Sequence, residues 1–289
     1  MVNQRSSGDV FLLHLHQATV VKGQHQRVLD SISLDIREGE QTVILGPNGS
    51  GKSSLIKLIM RQDYPLVHPD GAPAMLIYGQ ARWDVFELRK HLGIVSVDMQ
   101  QMFLNGMSHQ EICGLDVVVS GFFASVGLFA YQEVTPAMRQ RALEALAVMQ
   151  ASHLAQKPIA AMSTGEARRL LIARALVPDP RALLLDEPTT GLDLLARQRF
   201  LGTLRALAHA GKTLLLVTHH IEEILPEVER VILLKEGRVF LDGPKQAVLT
   251  TQHLSALYDA PIQVHSDAAG YYTASVAAEA RTTIEMSPQ

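Results

Sequence analysis

Cysteine is nearly missing from this 289-residue chain. Cys113 stands alone, so no internal disulfide can form, and the chain suits a reducing compartment, with Cys113 read as a buried structural thiol. Charge of one sign is also missing. Against 26 basic residues stand 29 acidic ones, a net charge of -3, which leaves no electrostatic footprint for nucleic acid or an anionic membrane. Nucleic acid is therefore not expected as a partner. Long apolar runs are absent too: the most apolar stretch, Val117 to Tyr131, is shorter than the roughly 20 residues a membrane-spanning helix needs and is interrupted by Ser120, Gly121, Ser125 and Gly127. Met1 to Val10 is polar, carries Arg5 and Asp9, and has no apolar core behind a basic start, so it does not read as a secretory signal. No fixed-period repeat or low-complexity tract is visible. What is present is a hydrophobic fraction of 47%, enough to fill the core of one large domain with a short tail.

Along the chain, Leu12 to Val21 and Val28 to Ile36 read as strands of an antiparallel flap with a turn at Arg37 to Glu40. Thr42 to Leu45 is a β-branched run entering a glycine-rich turn, and Lys52 to Met60 then carries Leu55, Ile56, Ile59 and Met60 at helical spacing. Further strands are expected at Ala74 to Tyr78, Gly93 to Val97, Ala182 to Leu185, Thr213 to Thr218 and Val231 to Leu234, with a hairpin turn at Glu236-Gly237. Residues 99 to 177 read as helical, including a helix with Thr135 as N-cap and Pro136 at its first position. Strands alternating with helices predict an α/β fold with a mostly parallel sheet core and a helical insert. The tail reads as a short helix, Leu254 to Tyr258, followed by a small hairpin.

Gly46-Pro47-Asn48-Gly49-Ser50-Gly51-Lys52-Ser53, followed by Ser54, matches G-x-x-x-x-G-K-[ST] in full, between a strand and a helix. Its glycines let backbone N–H groups turn toward phosphate oxygens, Lys52 should reach the β- and γ-phosphates of ATP, and Ser53 should offer its hydroxyl to Mg²⁺. Downstream, an apolar strand ends in Asp186-Glu187. Paired carboxylates there are usually solvated turn residues, but a preceding phosphate loop reverses that expectation: Asp186 suits Mg²⁺, and Glu187 suits polarising the attacking water. Ser163-Thr164-Gly165-Glu166 is an S-x-x-E capping box opening an apolar helix, an N-terminus able to meet an anion.

These motifs in this order resemble the ATP-binding cassette (ABC) ATPases over about Leu12 to Gly243, in detail the bacterial subgroup named after molybdenum transport and photorepair. The resemblance implies a P-loop ABC ATPase with an N-terminal antiparallel β flap and a helical signature subdomain, spanning residues 10–250 with the subdomain at about 99–177 and a short extension over 251–289. MSTGE at Met162 to Glu166 takes the place of the signature LSGGQ; Thr190-Gly191-Leu192-Asp193 looks like the D-loop, and His219 like the switch histidine that contacts the γ-phosphate. His220 then has no catalytic role, and no ligand cluster nearby completes a zinc site. The resemblance further implies that Ser163, Gly165, Glu166 and Asp193 meet nucleotide held by a second subunit, so that the chain pairs with itself or with a similar cassette. The Q-loop is displaced: Val97 stands where glutamine is usual, and Gln100, with Gln101 close behind, is the candidate for the magnesium and water contact, against the alternative that both are ordinary loop amides. Glu166 is either a plain capping residue or a carboxylate near phosphate whose charge Arg168 and Arg169 offset. Val20 to Arg27 holds no Phe, Tyr or Trp to stack on adenine; His25 is the one flat ring there.

Transmembrane permease subunits are the implied partners, docking near Phe122 and Phe123 if these are exposed rather than core. The implied function is the ATP-hydrolysing subunit of a transporter, at the inner face of the cell membrane, with the tail favouring import. A soluble ABC ATPase acting on another macromolecule, or an ATP-gated binding module without turnover, are the alternatives.

Overall fold

The computed structural model describes residues 11–106 and 112–277. Met1 to Val10, read above as lacking a secretory signal, lies outside them. The chain divides into two compact units, one formed by the residues up to Ala81 together with those from Val217 onward, the other by Arg82–Leu216.

In the first unit, β1 (Phe11–Lys22) and β2 (Gln26–Arg37) form the expected antiparallel flap, and β4 (Met75–Ile77) pairs antiparallel with the other side of β1. Alternating apolar residues explain the face it buries: Leu13, Leu15, Leu29, Ile32 and Ile36 are all buried. β3 (Thr42–Leu45) is buried throughout and pairs in parallel with β8 (Arg230–Lys235), which pairs antiparallel with β9 (Arg238–Pro244) across the Glu236-Gly237 turn, both residues with left-handed φ. Strands buried on both faces read as continuous apolar runs, as β3 and β8 do. α1 (Lys52–Ile59) follows β3. After the short α8 (Lys245–Val248) come α9 (Thr251–Tyr258) and the hairpin of β10 (Ile262–Ser266) with β11 (Tyr272–Val276), as the tail predicts.

The second unit opens with α2 (Val85–His91), capped by Asp84, which runs into β5 (Leu92–Val95). β5 pairs in parallel with β6 (Ala182–Asp186). Between them lie α3 (Val97–Gly106), α4 (Gly114–Val119), α5 (Pro136–Val148) and α6 (Thr164–Leu176). Thr135 caps α5 and Pro136 begins it, as the sequence predicts. α7 (Leu194–His209) leads to β7 (Thr213–Thr218), within which the chain returns to the first unit.

Three sequence expectations change. The apolar segment after α4 is stitched down by Arg174, whose Nε donates to Ser120 Oγ at 3.2 Å and whose second amino group donates to the Ser125 carbonyl at 2.8 Å. Phe122 and Phe123 are consequently only half-buried, and the exposed aromatics are Phe129 and Tyr131, stacked with centroids 5.7 Å apart. Cys113 is half-buried rather than buried, its thiol donating to Asp116. Gln100 sits in helix α3, which begins at Val97, rather than in a loop.

Candidate functional site

The phosphate loop owes its path to glycines at three points. A Cβ on Gly46 would lie 2.3 Å from the Leu234 carbonyl oxygen, and Gly49 and Gly51 take φ of 80° and 105°, conformations that side chains resist. Gly51 is the N-cap of α1, with no side chain bonded to the helix end and no acid in its first turn. No carboxylate of its own first turn therefore competes for this terminus. Lys52 is buried with its Nζ donating to the carbonyls of Gly46 at 2.7 Å and Pro47 at 2.9 Å, so the cation is held at the mouth of the loop. The Ser50 hydroxyl is buried with no hydrogen-bond partner, while Asn48, Gly49 and Ser53 are exposed and Ser54 half-exposed. The loop and His219 come together at the end of β7: the Gly46 N–H donates to the Thr218 carbonyl at 3.4 Å, and His219 follows directly. The rings of His219 and His220 lie 3.9 Å apart. His25 occupies the exposed β1–β2 turn with φ 72°.

The remaining candidates lie in the second unit. Asp186 ends β6, and its pKa is pushed up to about 6, first by burial and then by the neighbouring Glu187; Arg168 and the Val97 N–H pull the other way. A carboxyl destabilised as an anion in this manner suits a bound cation. Arg168, almost wholly buried, donates to the Asp186 carbonyl at 3.3 Å. Glu187 adopts a left-handed φ of 45° and accepts from the Thr190 hydroxyl at 3.3 Å, a strained backbone at the residue that follows the strand end.

At the signature, Ser163 and Glu166 form the predicted reciprocal capping box. Glu166 also accepts from Lys157 at 2.7 Å, and this hydrogen bond above all holds its pKa below the ordinary value. The expectation that Arg168 and Arg169 offset Glu166 is corrected: Arg168 turns to β6, and Arg169 donates to the Gln150 carbonyl. Thr164 packs its methyl group against Gly191, where a Cβ would be 3.0 Å away, and a Cβ on Gly165 would lie 2.6 Å from Leu192. The segments 163–166 and 190–193 are thus packed closely against each other. Asp193 caps α7 through the Ala196 N–H at 2.8 Å. A cleft of about 430 Å³ opens between these segments, lined by Ser163, Gly165, Glu166, Asp193 and Arg199 among others. Gln100 is buried and its Nε2 donates to the Thr164 carbonyl at 3.2 Å, whereas Gln101 is exposed.

Asp186 and Ser53 fit Mg²⁺ in donor chemistry, as does the side-chain oxygen of Gln100. Sequence reasoning missed Lys157 and gave Arg168 the wrong partner, since nothing in a single sequence pairs them with Glu166 and the β6 carbonyl. Among the described residues no helix is long and apolar enough to cross a membrane.

An ATP-dependent phosphate site followed by a capped signature helix defines a class, and comparison with known proteins identifies it. The family model for ABC transporters matches residues 29–190, and the chain belongs to that family. The chain is 38% identical over 240 residues to YlmA, an uncharacterized ABC transporter ATP-binding protein of Bacillus subtilis (strain 168), covering 82% of this chain and 87% of that one. It is 30% identical over 263 residues to the hemin import ATP-binding protein HmuV of Escherichia coli O157:H7, covering 88% and 95%. A solved dimeric ATP-binding cassette in a post-hydrolysis state with ADP and Pi superposes with a TM-score of 0.62 at 27% identity, over 80% of this chain and 98% of that one. The protein is an ABC-type ATPase and the ATP-binding subunit of a transporter. Neither relative is described by molybdenum transport or photorepair, so that finer likeness gains no support.

Proposed function

We propose that the chain powers import by a membrane permease, from the inner face of the cell membrane, as a dimer that closes on two ATP molecules. The observation that carries this reading is the contrast between two helix N-termini, one at Gly51 with no acid in its first turn and one at Ser163 beside a cleft. The ATPase domain covers residues 10–250, with a helical subdomain at about 99–177 and an extension over 251–289.

In each composite site, backbone N–H groups of the loop between Asn48 and Ser54 cradle the phosphates, and Lys52 leaves the Gly46 and Pro47 carbonyls for the β- and γ-oxygens. Ser163, Gly165, Glu166 and Asp193 of the second copy complete the site, and the exposed Leu194 and Leu195 beside Asp193 supply apolar surface for that contact. Ser53, Asp186 and Gln100 would hold Mg²⁺, which offsets charge on the phosphate oxygens when bound. Glu187 orients a water and accepts its proton as the water oxygen attacks the γ-phosphorus; the bond to the β-phosphate oxygen breaks, and ADP departs. His219 donates to the γ-phosphate. The import direction is supported by the likeness to the hemin import protein along nearly its whole length. Permease contact is assigned near Phe122 and Phe123, with the exposed pair Phe129 and Tyr131 extending that surface.

Gentle purification from membranes tests the proposal: the active ATPase should come with integral membrane proteins, and Glu187→Gln should accumulate as an ATP-bound dimer without turnover. Activity confined to the soluble fraction, or a Glu187→Gln chain that stays monomeric at saturating ATP, would count against it.

A further inference from the structure

The residues after α8 carry none of the nucleotide motifs, yet they close around the segment that holds His219. The peptide joining His219 to His220 is gripped at both ends. Its N–H, that of His220, donates to Thr218 Oγ1 at 2.9 Å, and its carbonyl, that of His219, accepts from the Tyr258 hydroxyl at 3.2 Å. A peptide unit is planar, so two bonds on opposite edges fix the dihedrals on either side and with them the direction in which the His219 side chain leaves the backbone. Thr218 is itself fully buried and tied to the phosphate loop through Gly46.

Tyr258 is in turn held firmly. It ends α9, whose Leu254 and Leu257 are buried, and Lys235 at the end of β8 donates to the Ala256 carbonyl and to Asp259, each at 2.7 Å. Ser255 bonds the backbone of Ile262, which joins α9 to β10, and β11 packs on the single turn at Ile221–Glu223. A cleft of about 210 Å³ remains there, lined by His219, Glu222, Tyr258 and Val276 among others. Burial first, and then Glu222, push the Tyr258 hydroxyl above its ordinary pKa, so it remains a protonated donor.

We infer that Tyr258 is a positioning residue for His219, and that the α9–β10–β11 extension therefore sets the rate of ATP hydrolysis by holding the switch histidine toward the γ-phosphate. This rests on the reading of His219 as the γ-phosphate contact. The extension would then be part of the ATPase rather than an appendage to it.

Tyr258→Phe in the full chain tests the inference, because it removes the hydroxyl and keeps the ring. Loss of one hydrogen bond to a half-buried carbonyl should lower kcat for magnesium-dependent ATP hydrolysis about five-fold, with KM and ADP affinity changed by less than about two-fold. The imidazole NMR signals of His219 should shift. In a His219→Ala background, Tyr258→Phe should leave the residual rate unchanged. An unaltered kcat together with unmoved His219 signals would overturn the inference, and so would an equal fall in rate in the His219→Ala background. Full turnover by His219→Ala alone would instead remove the role of His219 on which the inference stands.

Discussion

Two helix N-termini in this protein, those of α1 and α6, are built in opposite ways. α1 is capped by a glycine, has no acid in its first turn, and opens with a buried lysine whose Nζ donates to the Gly46 and Pro47 carbonyls of its own loop. α6 begins at a serine, places a glutamate on its own first turn, and anchors that glutamate with Lys157. A helix end with no internal carboxylate has its N–H donors and half-charge available for an anion from outside; an end carrying its own carboxylate has already spent part of that attraction. The first is therefore the end suited to receive phosphate, and the second, on the function proposed above, is the end that completes a site already assembled by another element. Specific disruption of each end should produce different losses.

The largest effect is expected at the first end. Lys52→Ala removes the cation that exchanges loop carbonyls for phosphate oxygens, and charge-assisted hydrogen bonds of this type contribute about 1.5–3 kcal/mol each. ATP affinity should fall about 100-fold, read by titration with a fluorescent nucleotide. A Lys52→Ala chain that binds ATP as tightly as the wild type would remove the contrast, since α1 would then need no cation to do its work.

This contrast shows how much was legible in the sequence. Local geometry was: the phosphate loop, the S-x-x-E box, the Thr135-Pro136 helix start and the Glu236-Gly237 turn are each set by residues within a few positions, and each was found where expected. Side-chain partners were not. Glu166 meets Lys157 across nine residues, Arg168 meets the Asp186 carbonyl across 18, and Tyr258 meets the His219 carbonyl across 39. Such pairings depend on how helices and strands pack, and a single sequence carries no periodicity that reports them. Phe122 and Phe123 illustrate the same limit: their exposure is governed by Arg174, about 50 residues away, whose guanidinium holds the adjoining turn.

Asp186 gives the next effect in size. Its carboxyl titrates near 3.8 when unfolded and at about 6 in the folded chain, because burial above all, and Glu187 after it, disfavour the anion. The folded state thus binds the proton more tightly. Stability from this group is fully present below the unfolded value, declines as pH rises from there toward 6, and above that the whole cost of an ionised Asp186 remains. Asp186→Asn should therefore stabilise the nucleotide-free protein near neutral pH by about 1–2 kcal/mol, visible as a rise of roughly 2–6 °C in Tm, while magnesium-dependent hydrolysis is lost. A variant less stable than the wild type at neutral pH would mean that burial does not strain this carboxylate.

The smallest effect should come from the second helix end, at Glu166. Lys157 and the Ser163 N–H hold this carboxyl below its ordinary value of 4.5, so its contribution is present above that pH and is lost as pH falls through the lower folded value. Glu166→Gln keeps an oxygen for the Ser163 N–H but gives up the charge opposite Lys157, a partly exposed pair worth about 0.3–1 kcal/mol. Thermal denaturation should show that small deficit at neutral pH and its disappearance as pH falls through the lowered folded value and the wild-type carboxyl takes up its proton. Turnover should change by less than about three-fold, because the substitution restores the glutamine usual in this signature and removes a negative charge from the phosphate-facing end. A loss of turnover comparable to that of Lys52→Ala would mean that the Glu166 carboxylate itself is required at the nucleotide, and the two helix ends would then have to be regarded as equal partners in binding it.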